Sequence, residues 1–365
     1  MKSKLFTKIF LILTIISVFS IACFNYLINP YGVFNHKIAS EYIQEKDHLA
    51  SHRMTLFYGA IYSNPKNLLI GTSRMGLLPT PKKYIPNDLS NIWMPGANIE
   101  EQTTLIRYMI SKFPIEKIVW SLDFHSFNPE LYNDPNFSYN RLNPDISYKD
   151  DYNLALFGYQ TTIDSFKTLK DNLGNFKLQI SNSQNEQIKS TEYGIKEVKN
   201  KIKKKVTQKK KNAWDKKVNA ISKVEVDFET AKQLKHYPNK YLKFKTFNNP
   251  KSIDESLIKV KEIINLCKKN NIQLYVYTSP VHTSFLDLYK TLGINKTFIY
   301  WKQELSKITN YTDFCNVNSI TKDKYNFLDG SHLKPSLGYM LYAKIFNDSS
   351  INTPKDFGIL IEKEQ

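Results

Sequence analysis

The sequence predicts an α/β protein: a three-layer α/β/α sandwich around a mostly parallel five-stranded sheet, with one N-terminal transmembrane helix and a Lys-rich helical insertion. Three observations carry this reading. Short continuous apolar runs alternate with amphipathic helical stretches, and that rhythm implies a parallel sheet covered on both faces. A charge-free apolar run opens the chain. A polar, Lys-rich stretch of weak apolar periodicity interrupts the rhythm and divides it in two. The expected organisation is a cytoplasmic stub and anchor over residues 1–30, the first half of the α/β body over 31–155, the insertion over 156–250, and the second half over 251–365.

Ile9 to Ile28 (IFLILTIISVFSIACFNYLI) is about long enough to cross the hydrocarbon core as a helix. Lys2, Lys4 and Lys8 precede it, and no Lys or Arg follows until Lys37. The positive-inside bias therefore leaves the N-terminus in the cytoplasm. The expected location is the inner (cytoplasmic) membrane, single-pass, with the body in the periplasm or extracytoplasmic space. The rivals are a cleaved signal peptide, whose apolar region is usually shorter and for which no convincing A-x-A site is present, and a lipoprotein, for which Ser20-Ile21-Ala22-Cys23 is a poor box.

Five strands follow in order: Asn67 to Gly71 (NLLIG), Asn91 to Met94 (NIWM), Lys117 to Leu122 (KIVWSL), Ile272 to Thr278 (IQLYVYT) and Tyr311 to Cys315. Each is a short apolar run bounded by turn residues, the pattern of a strand buried on both faces. Between them, Ile99 to Phe113 has helical spacing and ends at Pro114. Asp134 to Asp151 is rich in Asn, Asp, Pro and Tyr and reads as loop, and Leu154 to Leu173 reads as one helix. Ile253 to Lys269 places Leu257, Val260, Ile263, Ile264 and Cys267 on one side, with Asn270-Asn271 as its stop. Trp301 to Ile308 and Ser336 to Phe346 complete the helices, Pro335 suiting the first turn of the last.

The formal net charge is +17, but Lys199 to Lys217 holds ten Lys and one acid and so supplies +9 of it. That run reads as a solvated helical face. No zinc-finger spacing, RNP-like aromatic pattern or helix-turn-helix accompanies it, so nucleic acid is not an expected partner. Cys23 lies in the apolar run; Cys267 and Cys315 are either two unpaired thiols or a pair formed in an oxidising compartment. They form no CxxC and no cluster with His, so no metal and no cofactor is expected.

Ligands in a parallel sheet bind beyond the carboxyl ends of its strands. Gly71-Thr72-Ser73-Arg74 follows the first strand, where a Ser on a tight turn exposes its hydroxyl or simply caps a helix. Pro95-Gly96-Ala97-Asn98 follows the second, where Gly lets the backbone approach a substrate. After the third strand a carboxylate, an imidazole and an amide emerge together in Asp123-Phe124-His125-Ser126-Phe127-Asn128. After the fourth comes His282, a candidate lining residue. Near the C-terminus, Phe327-Leu328-Asp329-Gly330-Ser331-His332 can place a carboxylate against one imidazole nitrogen and leave the other free to act as base.

In that order the pieces LLIGTSRMG, NIWMPGANIEEQ, IVWSLDFHSFNP and FLDGSHLKPSLG, with NPYGVF after the anchor, resemble the SGNH/GDSL hydrolase superfamily. More narrowly, the chain is similar to the membrane-anchored SGNH-like proteins related to bacterial polysaccharide O-acetylation, such as the alginate acetylation proteins. The resemblance implies an SGNH/flavodoxin-like sandwich in which Ser73 is the nucleophile, His332 the general base and Asp329 its orienting partner. It also implies that the Ser73 and Gly96 backbone N–H groups hold the oxyanion.

Two positions depart from the family's pattern. GTSR stands for GDS, and Asp123 stands where an Asn side chain usually donates to the oxyanion. A carboxylate there repels developing negative charge unless it is protonated or a donor such as Arg74 or Asn128 substitutes. The expected function is an acyl-ester enzyme, an O-acetyltransferase or esterase acting on a cell-envelope or exported polysaccharide. The expected partners are that acylated carbohydrate, the membrane and a membrane-bound acyl-donor protein. The alternative is a non-catalytic polysaccharide-binding protein or membrane-tethered scaffold built on the same cleft.

Overall fold

The computed structural model describes residues 2–36, 52–143, 148–188 and 246–364. The first elements are helix α1 (Lys2–Ile28), helix α2 (His52–Ser63), strand β1 (Asn67–Gly71), the short helix α3 (Ser73–Gly76) and strand β2 (Leu89–Trp93). Helix α4 (Ile99–Lys112), strand β3 (Lys117–Leu122) and helices α5 (Lys149–Phe157) and α6 (Tyr159–Ile188) follow. The chain then gives helix α7 (Asp254–Lys269), strand β4 (Gln273–Thr278), helices α8 (Thr283–Thr291) and α9 (Asn295–Ile308) and strand β5 (Tyr311–Asp313). It ends with strands β6 (Phe327–Asp329) and β7 (His332–Leu333), helix α10 (Gly338–Ile345) and strand β8 (Ile359–Ile361). The Lys-rich run at 199–217 lies outside the described residues.

The chain divides into two compact units, one formed by Met1–Tyr58 with Ile146–Val224 and the other by Gly59–Asp145 with Glu225–Gln365. In the first, Ser3–Ile28 is an apolar helix long enough to cross a membrane, as a membrane anchor or a signal sequence would be. Its last turns are tied to α5 and α6 by polar groups. The fully buried Asn25 donates from Nδ2 to the Leu156 carbonyl (2.9 Å) and to Thr162 Oγ1 (3.0 Å), and its Oδ1 accepts from Ser165 Oγ (2.9 Å). The Tyr31 hydroxyl donates to Asp164 (2.7 Å) and the Tyr58 hydroxyl to Asp151 (2.9 Å). The stretch expected as one helix from Leu154 is two. Gly158, extended at φ −65° and ψ 131°, separates α5 from α6, and a Cβ there would meet the Leu154 carbonyl at 2.5 Å.

The second unit is the α/β body. Its sheet runs in the order β2-β1-β3-β4-β5-β8, parallel throughout except for β8, which pairs antiparallel with β5. The expected five strands are all present, and the sixth, β8, corrects the count. A three-residue edge strand with Ile359 and Leu360 exposed offers no stretch of periodicity to read. Two further helices, α2 and α8, also escape the sequence pattern.

Side chains alternate across the pleat, so the sheet feeds two cores. Leu69, Val119 and Tyr277 face one, closed by Met75, Leu341, Tyr342 and Ile345. The intervening Leu68, Ile70, Ile118 and Trp120 face the other, and the Trp120 indole N–H donating to Gln102 (2.8 Å) pins that face to α4. Both faces are thus covered by helix, and the apolar side of α7 predicted from its spacing is buried as expected. Cys267 and Cys315 are both buried free thiols.

Candidate active site

Parallel pairing sends β1, β2, β3 and β4 out of the sheet at one edge, and the residues singled out in the sequence follow their ends. Gly71 ends β1 in register with Trp93. A Cβ on Gly71 would stand 2.7 Å from the Ser121 Cβ, so the approach of β1 to β3 at this level requires glycine. The chain then turns into α3, with Thr72 as its N-cap and Ser73 as its first residue. Gly96, at φ +62°, makes the left-handed turn after β2. Among the described residues, no protein group takes up the Ser73 or Gly96 amide N–H.

The β6–β7 hairpin brings the C-terminal pair to the same edge. Ser73 Oγ lies 2.9 Å from His332 Nε2, across 259 residues of sequence. His332 Nδ1 lies 2.7 and 2.9 Å from the two Asp329 carboxylate oxygens. An ionised carboxylate only accepts, so Nδ1 carries the ring proton and Nε2 accepts from the Ser73 hydroxyl. Asp329 also accepts from the Ser331 and His332 amides at 2.7 and 3.0 Å and from the Ser331 hydroxyl at 3.1 Å. Burial pushes its carboxyl up, but the hydrogen bond and charge of His332 and the Ser331 bonds outweigh it and hold the carboxyl below its ordinary value.

Asp123 emerges from β3 into the interior and is almost fully buried. One of its oxygens accepts from the Thr72 hydroxyl, which itself accepts from the Arg74 amide (3.3 Å). The other lies 3.6 Å from the buried Arg74 guanidinium, within ion-pair range but beyond a hydrogen bond. Thr72 and Asp123 are therefore bonded to each other. Arg74 also lies over the Phe285 ring, 5.8 Å from its centroid.

Two further candidates each accept a nearby backbone amide. The Asn128 side-chain oxygen accepts the Glu130 amide (3.0 Å), forming a turn after β3. His282 caps α8, its Nδ1 accepting from the Ser284 amide (3.2 Å), while its backbone N–H donates to the Gly330 carbonyl (3.1 Å) and braces the hairpin. Burial is the main cause lowering its imidazole below the ordinary value.

Thr72 and Ser331 join the site without being predicted, and His125, the imidazole emerging after β3, is given no role by the sequence. An N-cap residue before Ser73 and a hydroxyl beside His332 are weak signals, and His125 lies two residues from Asp123. His125 is buried within electrostatic reach of Arg74, Asp123 and His332. Burial above all, then Arg74, hold its imidazole down to about 3, with His332 adding to them and Asp123 opposing.

Two predictions follow from these buried charges. Asp123→Asn removes the carboxylate beside a buried guanidinium and is expected to cost about 3 kcal/mol of stability in chemical denaturation. A loss no larger than that of an exposed substitution would show that Arg74 does not depend on Asp123. The unfolded chain protonates His125 near the ordinary value of 6.5, whereas the folded protein does so only at about 3. The resulting stability is complete above the unfolded value. It is lost as pH falls toward the folded one, at up to about 1.4 kcal/mol per pH unit. Denaturation midpoints between about pH 6 and pH 4 should fall less steeply for His125→Asn than for the wild type, and parallel curves would refute this.

Compared with known proteins, the chain matches no family model, and no curated protein sequence matches it significantly.

Proposed function

We propose that the protein is a serine-dependent acyl-ester enzyme of SGNH/GDSL type, an O-acetyltransferase or esterase acting on a cell-envelope or exported polysaccharide. The observation that carries this reading is the continuous chain from Ser73 through His332 to Asp329, with contacts of 2.9 and 2.7 Å. Ser73 Oγ attacks the acyl carbonyl while His332 Nε2 takes its proton. The Ser73 and Gly96 amides donate to the oxygen that becomes negative. Collapse of the tetrahedral intermediate expels the leaving alcohol, which takes the proton back from His332. A sugar hydroxyl or water then gives its proton to His332 and attacks the acyl-enzyme, and His332 passes that proton to the departing Ser73 Oγ. Asp329 keeps the imidazole in the tautomer that accepts from Ser73 and stabilises the imidazolium.

In this reading Asp123 does not act as the missing oxyanion donor. It fixes the two neighbours of the nucleophile, Thr72 by a hydrogen bond and Arg74 by charge. The same pairing favours the second reading, a non-catalytic polysaccharide-binding or scaffold protein, because it occupies the position from which the family's amide acts.

We also infer that α1 is a retained anchor rather than a cleaved signal, with the N-terminus in the cytoplasm and the body outside. Cleavage after Asn25 would strip Thr162, Ser165 and the Leu156 carbonyl of the partner they share.

The purified full-length protein should hydrolyse or transfer a chromogenic acetyl ester and label with a fluorophosphonate. Ser73→Ala should lose both, and His332→Ala should lower turnover at least about a thousandfold, each with little change in stability. Full turnover in Ser73→Ala would overturn the nucleophile assignment, and no labelling of folded wild type would favour the second reading. A reporter active only outside the cytoplasm, fused after Gln365, should be active in the membrane fraction, with the peptide containing Ile9 to Ile28 still attached. Activity of a cytoplasmic reporter instead would reverse the topology.

A further inference from the structure

The first unit carries an inverted helix. Over residues 159–173, the fully buried positions of α6 are Thr161, Asp164, Ser165, Thr168 and Asn172. Its most exposed apolar side chains are Tyr159 (82 %), Phe166 (60 %) and Leu173 (47 %). A helix of a body surrounded by water does the reverse, because burying apolar surface is what stabilises it. Polar groups turned inward and bonded across helices, with apolar groups turned outward, is the arrangement that an apolar surrounding favours.

The inward groups are bonded as that arrangement requires. Ser165 and Thr162 meet Asn25 of α1, and Asp164 accepts from Tyr31, Gln160 and Lys167. The outward groups continue beyond α6. Leu154 and Phe157 on α5 are 47 % and 52 % exposed, and Tyr26 and Leu27 on the last turn of α1 are 38 % and 44 % exposed. One contact fixes what adjoins them: the Phe166 ring packs on Phe24, with centroids 4.7 Å apart. Phe24 belongs to the membrane-length helix Ser3–Ile28. The exposed face of α6 is therefore continuous with the span itself.

We propose that this face, centred on Phe166 with Tyr159 and Phe157, rests in the headgroup and outer acyl region of the bilayer, so that the first unit is held against the membrane by a surface as well as by a span. The occupant is lipid, for two reasons beyond continuity. Aromatic rings with one apolar and one polar end favour that depth. Lys170 stands exposed one turn on from Phe166, where a flexible basic side chain can reach a lipid phosphate. The proposal rests on the retained anchor inferred above.

The test uses the full-length protein reconstituted in phosphatidylcholine–phosphatidylglycerol vesicles. In a Cys23→Ser background the remaining thiols, Cys267 and Cys315, are buried and pushed up to about 12, so an introduced cysteine reacts selectively with an environment-sensitive fluorophore. Labels at Phe166→Cys, Tyr159→Cys, Leu13→Cys within the span and Lys307→Cys on α9 are compared with and without lipid carrying a nitroxide near the headgroup. Folding of each is checked by its thermal transition; Tyr159, being the most exposed, serves if Phe166→Cys alters it. The expected result is a blue shift and loss of emission to nitroxide lipid at 159 and 166, with neither at 307. Water-like emission at 159 and 166 beside lipid-shielded emission at Leu13 would overturn the proposal and leave the anchor standing. A blue shift without nitroxide quenching would also overturn it, pointing to protein as the cover. Water-like emission at Leu13 as well would overturn the anchor and the proposal together.

Discussion

The body depends on the parallel pairing of β1 between β2 and β3. Parallel strands all leave the sheet at the same edge, so every loop that follows a strand opens on one side. Register fixes the level: Gly71 lies opposite Trp93, and Ile70 opposite Trp120. A residue placed just after β1 is then within reach of residues just after β2 and β3. The close approach of Gly71 to Ser121 holds that level, because any side chain at 71 would have to displace β3. The hairpin that carries Asp329 and His332 completes the site from the other end of the chain.

Charge around Ser73 is arranged in two layers. At the surface of the site, Asp329 is richly hydrogen-bonded, which outweighs its partial burial and keeps it ionised beside the imidazole it orients. Beneath it, Asp123, Arg74 and His125 are buried together. Removing charged groups from water is costly unless they compensate one another. Here a carboxylate and a guanidinium do so, while the imidazole avoids the cost by staying neutral. Because Thr72 and Arg74 flank Ser73, the lower layer also sets where Ser73 stands. The hydrogen bond between Thr72 and Asp123 ties the turn after β1 to the end of β3.

The first unit follows a different rule. Its helices are joined by the amide of Asn25, the hydroxyls of Thr162, Ser165 and Tyr31, and the carboxylate of Asp164, where the body uses Leu, Ile and Val. Such a junction is directional. It fixes the angle at which the apolar helix leaves the unit more closely than apolar packing would, since each bond has a narrow geometry.

The sequence alone determined the parallel strand rhythm, the apolar N-terminal helix and the order of the polar residues at the strand ends. These are local properties: a buried parallel strand is apolar over its whole length, and glycine or proline marks its exit. The three residues that meet at 2.9 and 2.7 Å were also legible, once a known pattern supplied the pairing of positions 259 residues apart. Tertiary structure decided the rest. The edge strand Ile359–Ile361 is too short to carry a period and exists because β5 offers it a partner. Asn128 and His282 each accept a backbone amide two residues on, a bond that depends on the conformation their loops take in the packed chain. The partners of Asp123, the burial of His125 and the inverted face of α6 likewise depend on what lies across from them in space. Composition fixes which groups can bond or repel; only the packed chain fixes which of them meet.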